Sequence, residues 1–239
     1  MSSQHDDTGM WLVIHIPKAA GTSFRWSLEK YFGKNRIIRD YGQEASATTD
    51  VVREHLYSGD KSKNAATLIN ALERRHARVL VGHFPLAKYA KFFEPGKIVT
   101  FVREPLIRSC SEYLHRVRNG TFEGSLIDFF QRPGFQNQQS RLLKCVPGQA
   151  FIGIAEQYGD SLRRINFTNK WKLKTRKKNV GHQGGGQKLA ESLSLVELEY
   201  FNGVNQKDLK FYRDSVQKFE AMEVQVDKTT GFLNWLKIK

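Results

Sequence analysis

The stretch that decides the fold lies near the start of the chain, where residues 11–24 read WLVIHIPKAAGTSF. Its first part, Trp11–Ile16, is a short apolar run that predicts a buried strand, which ends at Pro17. The small residues after Pro17 predict a tight turn, and Thr22 or Ser23 can cap the helix that follows. A strand, a tight turn and a helix therefore open the fold.

The rest of the chain repeats this alternation of strands and helices. Further apolar runs predict strands at 79–82, 97–102 and 151–154. Helices are predicted at 49–56, 65–75, 106–117, 126–131, 138–143, 156–164, 193–201 and 208–219. The remainder of 39–64 reads as polar and irregular, and 183–187 as a flexible glycine loop. This order indicates a single α/β domain with a central parallel sheet flanked by helices.

Composition excludes several classes of protein. Of 239 residues, 40% are hydrophobic and 26% are charged, which is typical of a globular chain. No apolar run approaches the ~20 residues of a membrane helix, and residues 1–9 lack the features of a signal peptide. We therefore expect a cytoplasmic protein with a disordered segment at 1–9 and one domain at 10–239. The two cysteines, Cys110 and Cys145, are too few for a metal cage and are expected to be reduced and buried.

The net charge of +14 predicts an anionic partner, such as nucleic acid, an anionic membrane, an acidic polymer or a phosphate-rich cofactor. Nine lysines and arginines, and no acidic residue, lie in the segment 161–190. They are densest at 170–178, and we expect this basic stretch to be mobile because its charges repel one another. Taken alone, a solvated loop explains the run equally well.

The turn at 17–23 carries the chemistry of a phosphate-binding loop. A turn that leads into a helix presents backbone N–H groups and a positive helix end to an anion, and Lys18 adds a mobile charge. The turn resembles a P-loop without matching the nucleotide-triphosphatase pattern, since Lys18 precedes Gly21 and no acidic magnesium motif is evident. Alone, the pattern is also that of an ordinary strand-to-helix connection.

A second motif follows the predicted strand at 97–102. Arg103 leaves that strand, and Ser111 lies eight residues later on a predicted helix, so both side chains can reach one phosphate. Alone, Arg103 is equally explained by a surface ion pair with Glu104. Lys18, His83 and Arg103 each follow a predicted strand, and ligands of parallel sheets bind beyond the carboxyl ends of the strands.

Together, the two motifs resemble those of the sulfotransferases that use 3′-phosphoadenosine 5′-phosphosulfate (PAPS). The similarity is greatest to the carbohydrate branch, which includes heparan sulfate 2-O-sulfotransferase and bacterial relatives. Residues 16–24 resemble the 5′-phosphosulfate loop, and Arg103-Glu104-Pro105 with Ser111 resembles the 3′-phosphate motif. Weaker similarities are found at Gly82-His83, 137–142 (NQQSRL), 152–156 (IGIAE) and 205–212 (NQKDLKFY). The resemblance spans about Trp11 to Phe219.

The resemblance implies a cofactor site for PAPS, with the bisphosphate PAP as its product and no metal. Lys18 would contact the phosphosulfate, and the 3′-phosphate would bind Arg103 and Ser111. The 5′-phosphate would be held by the turn residues Ala20, Gly21, Thr22 and Ser23. A late basic loop would close over the 3′-phosphate and adenine through Arg176, Lys177 and Lys178.

The resemblance also implies how transfer would proceed. His83 would be the general base that takes a proton from an acceptor hydroxyl, and Lys18 would stabilise charge on the departing bridging oxygen. His15 and Glu104 stay open as alternative bases. Tyr113 and His115 would either line the acceptor site or pack.

The acceptor region, 39–78 and the helices after residue 120, shows no motif that names the acceptor. We expect a saccharide or a polar natural product, and neither nucleic acid nor membrane as a partner. Animal relatives carry a membrane anchor, which this sequence does not show, so the resemblance is to a bacterial cytoplasmic enzyme. Two other classes remain as alternatives: a kinase or nucleotide triphosphatase, and a non-enzymatic polyanion or nucleic-acid binder.

Overall fold

Five parallel strands form one sheet in the computed structural model, which describes residues 9–175 and 184–222. Their order across the sheet is β2-β3-β1-β4-β5. The strands are β1 (Trp11–Ile14), β2 (Ile37–Asp40), β3 (Val79–Gly82), β4 (Ile98–Val102) and β5 (Phe151–Ile154).

Helices connect and flank these strands, so the described residues form a single α/β domain, as predicted. Before β5 they are α1 (Gly21–Phe32), α2 (Asp50–Leu56), α3 (Ala65–Arg74), α4 (Pro105–Arg118), α5 (Leu126–Gln131) and α6 (Gln138–Leu142). After β5 they are α7 (Tyr158–Asn169), α8 (Gly185–Glu191), α9 (Leu195–Val204) and α10 (Gln206–Ala221). Within the described ranges, no helix is long and apolar enough to cross a membrane.

The three central strands are buried along their whole length. Leu12 of β1 pairs with Leu80 of β3 on one side and with Ile98 of β4 on the other. A parallel sheet covered on both faces needs apolar side chains at successive positions, and the runs WLVI, VLVG and IVTFV supply them. This burial explains why sequence alone locates these strands.

The strand order places a switch point at the carboxyl ends of β1 and β4. From β1 the chain passes to β2 on one side of the sheet, and from β4 it passes to β5 on the other side. The connections therefore diverge and leave a crevice between these two neighbouring strands. The turn after β1 carries Lys18, and the turn after β4 carries Arg103.

The sequence did not predict strand β2. Ile37 and Ile38 were assigned to no element, and Arg39 and Asp40 begin the segment 39–64 that was predicted to be polar and irregular, so that prediction was wrong for these two residues. Only Ile37 and Ile38 of its four residues are apolar, and the strand pairs with β3 alone at the edge of the sheet. An edge strand with two apolar residues has no run or alternation long enough to stand out in a sequence.

The glycine segment 183–187 also differs from the prediction of a flexible loop. Gly184 is a turn and α8 begins at Gly185, while Gln183 lies outside the described residues. An added Cβ at Gly186 would overlap the hydroxyl of Ser111 on α4. The glycine therefore allows α8 and α4 to approach closely, which is a tertiary reason for a residue that otherwise marks a loop.

Part of the basic stretch that we expected to be mobile is held by packing. Trp171 and Leu173 are buried, and the ring of Trp171 lies edge-on to Trp11 at 4.5 Å between centroids. Asn166 accepts a hydrogen bond from the Leu173 amide and donates one to its carbonyl, both at 2.9 Å. Lys170, Lys172 and Lys174, which alternate with the buried Trp171 and Leu173, are exposed.

The cysteines differ from each other. Both are free thiols, and Cys110 is buried as predicted, but Cys145 is exposed, so that part of the prediction was wrong. The predicted disordered segment 1–9 lies, apart from Gly9, outside the described residues, as do 176–183 and 223–239 of the predicted domain.

Candidate anion-binding site at the carboxyl edge of the sheet

The turn between β1 and α1 adopts an uncommon backbone conformation. Lys18 and Ala20 have φ values of 65° and 63°, in the left-handed region that non-glycine residues seldom occupy. Conformations of this kind cost on the order of 1–3 kcal/mol each and persist where surrounding structure imposes them, often at functional sites. The buried strand β1 before the turn and the packed helix α1 after it thus impose this backbone conformation.

The first turn of α1 has no side-chain cap, contrary to the prediction for Thr22 and Ser23. Ala20 is the N-cap residue, and its methyl group cannot accept a hydrogen bond. The first amides of a helix have no partner within the helix. No side chain of the described residues caps the amides of Gly21, Thr22 and Ser23, which leaves them free to donate to an anion.

Gly21 is required by a close approach of His15. An added Cβ at position 21 would overlap the His15 ring, so any larger residue would displace that ring or the turn. His15 is 7% exposed, and its Nδ1 lies 2.9 Å from the hydroxyl of Tyr41. The turn is therefore packed from below by a buried histidine that is itself held by a tyrosine.

Arg103 joins the two predicted motifs. Its Nη1 donates to the carbonyl oxygen of Lys18 and to the hydroxyl of Ser111, each at 3.1 Å. Its Nε lies 3.8 Å from Glu156, and Nη2 makes no hydrogen bond to any residue that the structure describes. Lys18 and Ser111, which are 85 and 8 residues from Arg103 in the sequence, thus meet at its guanidinium. The Nη2 group stays available to donate to a ligand.

Glu104 does not pair with Arg103, so the surface ion pair considered from sequence is absent from the described residues. The Glu104 carboxylate accepts hydrogen bonds from the amides of Leu106 at 3.1 Å and Ile107 at 2.7 Å. It is the N-cap of α4, with Pro105 in the first position of the helix. This capping role makes Glu104 a poor candidate for a base.

His83 follows β3 and reaches the same edge of the sheet. Its ring lies 4.5 Å from the ring of His15 and 4.6 Å from that of Tyr41, between centroids. His83 is exposed overall, but these rings remove part of its hydration, and that loss, together with Arg25 and Arg116, lowers its pKa to about 4. The imidazole is therefore neutral at pH 7 and can accept a proton.

His15, the first alternative base, is buried against the same rings. Desolvation, followed by the charges of His83 and Arg25, lowers the pKa of His15 to about 3. Because it is buried and its Nδ1 lies 2.9 Å from the Tyr41 hydroxyl, His15 is less accessible to an acceptor than the exposed His83. Tyr113 packs against Phe122 and Phe129. The ring nitrogens of His115 lie 3.3 Å from the Arg118 guanidinium and 3.2 Å from the side-chain amide of Asn119, the residue after α4.

Charges on α4 act on both Lys18 and His83. Burial lowers the pKa of Lys18, and the cations Arg118 and Arg103 lower it further, while Glu112 opposes them. Glu112 also raises the pKa of His83 against the other causes. This glutamate is 3% exposed and accepts a 2.7 Å bond from Arg116. No local pattern in the sequence marks Glu112 as a neighbour of the site.

Gln139 is a second residue that the sequence did not assign to the site. Its side chain is completely buried and makes hydrogen bonds to both the amide and the carbonyl of Arg103. The only available signal was its place in the segment 137–142, one of the weaker similarities. Arg176, Lys177 and Lys178, predicted to bind the cofactor, lie outside the described residues.

The donors brought together at this edge suit a phosphate-bearing ligand. Open amides at the start of α1, the Ser111 hydroxyl and the cations Lys18 and Arg103 are all donors, and backbone turns of this kind bind anions. Within 9–175 and 184–222, no group of three or more His, Cys, Asp or Glu residues is arranged to hold a metal ion.

Similarity to known proteins is confined to the level of the fold. No protein-family model matches this chain, and no curated protein matches it. A solved structure described as a sulfotransferase from Alicyclobacillus acidocaldarius is similar over 86% of this chain and 99% of that chain. The two are 15% identical with a TM-score of 0.40, a likeness too low to carry residue roles or an activity from one chain to the other.

Proposed function

We propose that this protein is a sulfotransferase that moves a sulfuryl group from PAPS to an acceptor hydroxyl. The observation that carries the proposal is the position of Arg103, whose Nη1 bonds both the Lys18 carbonyl and the Ser111 hydroxyl. The two motifs with the strongest family resemblance are thereby adjacent. Neither motif is specific alone, and their contact across the switch point is what a shared ligand with two phosphate positions requires.

The proposed binding roles follow from the donors at each turn. The amides of Gly21, Thr22 and Ser23 hold the 5′-phosphate at the positive end of α1, with Ala20 fixing the turn. Arg103 and Ser111 hold the 3′-phosphate as a charged fork and a hydroxyl. Lys18, whose carbonyl accepts from Arg103, carries the charge that we propose faces the phosphosulfate.

PAPS, when bound, supplies an activated sulfuryl group whose sulfur–oxygen bond to phosphate breaks as the bond to the acceptor oxygen forms. His83 accepts the proton that the acceptor hydroxyl loses, since it is neutral at pH 7. Lys18 stabilises the negative charge left on the bridging oxygen. This electrostatic stabilisation is strongest where water is partly excluded, and burial partly dehydrates Lys18. Positioning and charge stabilisation are the main protein contributions to reactions of this type.

The proposed acceptor is the hydroxyl of a saccharide or of a polar natural product, with neither nucleic acid nor membrane as a partner. His83 is exposed beside Tyr41, so an acceptor can reach the imidazole from solvent. The cytoplasmic location expected from sequence belongs to the same proposal.

Calorimetric titration of the full chain with adenosine 3′,5′-bisphosphate, beside adenosine 5′-monophosphate and ATP, tests the proposal. We expect the bisphosphate to bind at least about tenfold more tightly than the monophosphate, because one charge-assisted contact is worth about 1.5–3 kcal/mol. Arg103→Ala should remove that preference, whereas Arg74→Ala, which deletes the same charge from an exposed position on α3, should not.

Equal binding of the two adenosine nucleotides by the wild-type protein would contradict the proposal. Magnesium-dependent turnover of ATP would indicate a kinase or triphosphatase instead. Salt-sensitive binding of DNA or heparin without affinity for the bisphosphate would indicate a non-enzymatic polyanion binder.

A further inference from the structure

The backbone of Arg103 is held by the side chain of one glutamine. Gln139 Oε1 accepts a hydrogen bond from the Arg103 amide at 2.9 Å, and its Nε2 donates to the Arg103 carbonyl at 2.8 Å. Gln139 is 0% exposed, so water does not compete for either bond. The peptide units on both sides of Arg103 are fixed in this way, and with them the direction in which the guanidinium leaves the strand.

Gln139 is in turn placed by a carboxylate on α10. Asp208 accepts hydrogen bonds from the backbone amides of Gln139 at 3.1 Å and Ser140 at 2.7 Å, one to each carboxylate oxygen. Gln139 and Ser140 are the second and third residues of α6, a helix whose own N-cap residue makes no capping hydrogen bond. Asp208 is 1% exposed and supplies the cap from 69 residues away.

The connection between α6 and α10 is reciprocal. Asn137, the residue before α6, has φ 48°, and its side-chain oxygen accepts hydrogen bonds from the amides of Lys207 at 3.0 Å and Asp208 at 3.1 Å. Each segment thus caps the start of the other helix. Asn137 also donates to the Val204 carbonyl at 2.7 Å, so the junction is anchored on both sides of α10's first residue.

A second connection runs from α10 to the side chain of Arg103. The Tyr212 hydroxyl donates to Glu156 Oε2 at 3.1 Å, and Glu156 Oε1 accepts from the Glu104 amide at 3.0 Å. The same Oε1 lies 3.8 Å from Arg103 Nε. Glu156 therefore faces the inner nitrogen of the guanidinium and leaves the terminal nitrogens for Lys18, Ser111 and a ligand.

Asp208 and Tyr212 are four residues apart and so lie on one face of α10. We infer that this face positions Arg103 for the 3′-phosphate, with Gln139 and Glu156 as the positioning residues that contact Arg103. The inference rests on the proposed function, since it assigns a role to the residues behind its 3′-phosphate arginine. The segments of weak sequence similarity at 137–142, 152–156 and 205–212 would then share one role, which is to support Arg103.

The inference predicts an effect confined to one phosphate. Gln139 and Glu156 contact Arg103, and Asp208 and Tyr212 in turn contact Gln139 and Glu156. The turn after β1 packs on His15 at Gly21, and the bond from Arg103 reaches it at the Lys18 carbonyl rather than at the amides proposed to hold the 5′-phosphate. Loss of a positioning residue should therefore weaken recognition of the 3′-phosphate and leave binding of the 5′-phosphate unchanged. The ratio of the dissociation constants for adenosine 5′-monophosphate and adenosine 3′,5′-bisphosphate measures the 3′-phosphate contribution directly.

We would measure that ratio by calorimetry for Gln139→Met and for the control Gln136→Met. Gln136 lies three residues before Gln139 and donates to the Phe130 carbonyl, without a contact to Arg103 among the described residues. We expect Gln139→Met to lower the ratio about tenfold, the effect of one well-placed charge-assisted hydrogen bond, with an unchanged constant for the monophosphate. Gln136→Met should keep the wild-type ratio.

Tyr212→Phe tests the second connection and removes one hydroxyl at a partly exposed position, so the chain should fold normally. We expect the ratio to fall only about threefold, because Glu156 loses one hydrogen bond and keeps its contacts to the Glu104 amide and to Arg103. The control Tyr158→Phe removes a hydroxyl that lies 3.3 Å from Ser27 and should leave the ratio unchanged. In an Arg103→Ala background neither positioning variant should change the ratio further, which separates positioning from a general loss of stability.

The outcomes separate the inference from the function on which it rests. A wild-type ratio well above one that stays the same in both Gln139→Met and Tyr212→Phe would overturn the inference and leave the proposed function intact. A wild-type ratio near one would overturn both. An equal loss of affinity for the two nucleotides in the positioning variants would also overturn the inference, because it would mean a general structural effect.

Discussion

Two strand-to-helix turns lie side by side at the switch point, and they differ in how the first amides of the helix that follows are treated. The turn after β4 satisfies its own helix, since Glu104 caps two amides of α4 and Gln139 bonds the backbone of Arg103. The turn after β1 leaves the amides at the start of α1 without a side-chain cap and holds Lys18 and Ala20 at positive φ.

This difference indicates that the first turn offers backbone amides to a ligand, whereas the second offers a side chain. In the proposed site, the open amides of the first turn are the anion donors, so a capping side chain there would compete with a ligand. At the second turn the helix needs no ligand, and the turn serves to project the Arg103 guanidinium in a fixed direction. Variants at each turn should therefore affect different properties.

The largest effect is expected for the charge at the uncapped turn. Lys18→Met keeps the aliphatic stem and removes the cation. In the proposed sulfuryl transfer it should lower kcat/KM by about 10²–10³-fold, as for other groups that stabilise developing negative charge. Lys34→Met, at an exposed position after α1, is the matched control and should retain wild-type activity. Unchanged activity in Lys18→Met would remove Lys18 from the reaction.

The pH dependence sharpens the contrast, because His83 packs against the histidine that lies under the uncapped turn. Loss of hydration and the nearby Arg25 and Arg116 lower its pKa to about 4, so the imidazole is protonated only in acid. A protonated base accepts no proton, so kcat/KM should stay level from pH 7 to 5 and fall about tenfold per pH unit below about 4. An acid limb that begins near pH 6.5 would contradict this environment for His83.

A smaller effect is expected for the cap of the other turn. Glu104→Ala should lower the free energy of unfolding by about 1 kcal/mol, since two amides of α4 lose their acceptor. Thr22→Ala is the comparison at the uncapped turn and should change it by less than about 0.5 kcal/mol, because no capping bond is lost. Chemical denaturation of both variants measures the difference, and equal losses would mean that Thr22 has a structural role.

The smallest effect concerns the strained backbone. Ala20→Gly should raise the free energy of unfolding by about 0.5 kcal/mol, because relief of the left-handed conformation slightly exceeds the entropy cost of glycine. Ala66→Gly, in the first turn of α3, should lower it by about 0.5–1 kcal/mol, since that residue is helical and gains nothing from glycine. A loss of stability in Ala20→Gly would show that the turn is not strained.

How much the sequence predicts depends on whether the cause of a feature is local. The strands β1, β3, β4 and β5 and the turn at 17–23 follow from apolar runs and punctuation that a few adjacent residues define. The edge strand β2 and helix α8 escape such reasoning, because β2 depends on pairing with β3 and Gly186 on the approach of α4.

The candidate site divides in the same manner. Lys18, His83, Arg103 and Ser111 can be selected from sequence since each follows a strand end or shares a motif spacing. The contact between Arg103 and Lys18, and the support from Gln139, cannot be, because 85 and 36 residues separate the partners. Their side chains meet only once the sheet has been assembled.

The sequence by itself determined the parallel sheet, the position of the turns and the excess of positive charge, because burial and turn chemistry act over a few neighbouring residues. Only the tertiary structure decided that Glu104 caps a helix, that Thr22 and Ser23 do not, and that α10 stands behind Arg103. A backbone amide or carbonyl can find its hydrogen-bond partner in several parts of a chain, and the packing of distant elements decides which partner it has.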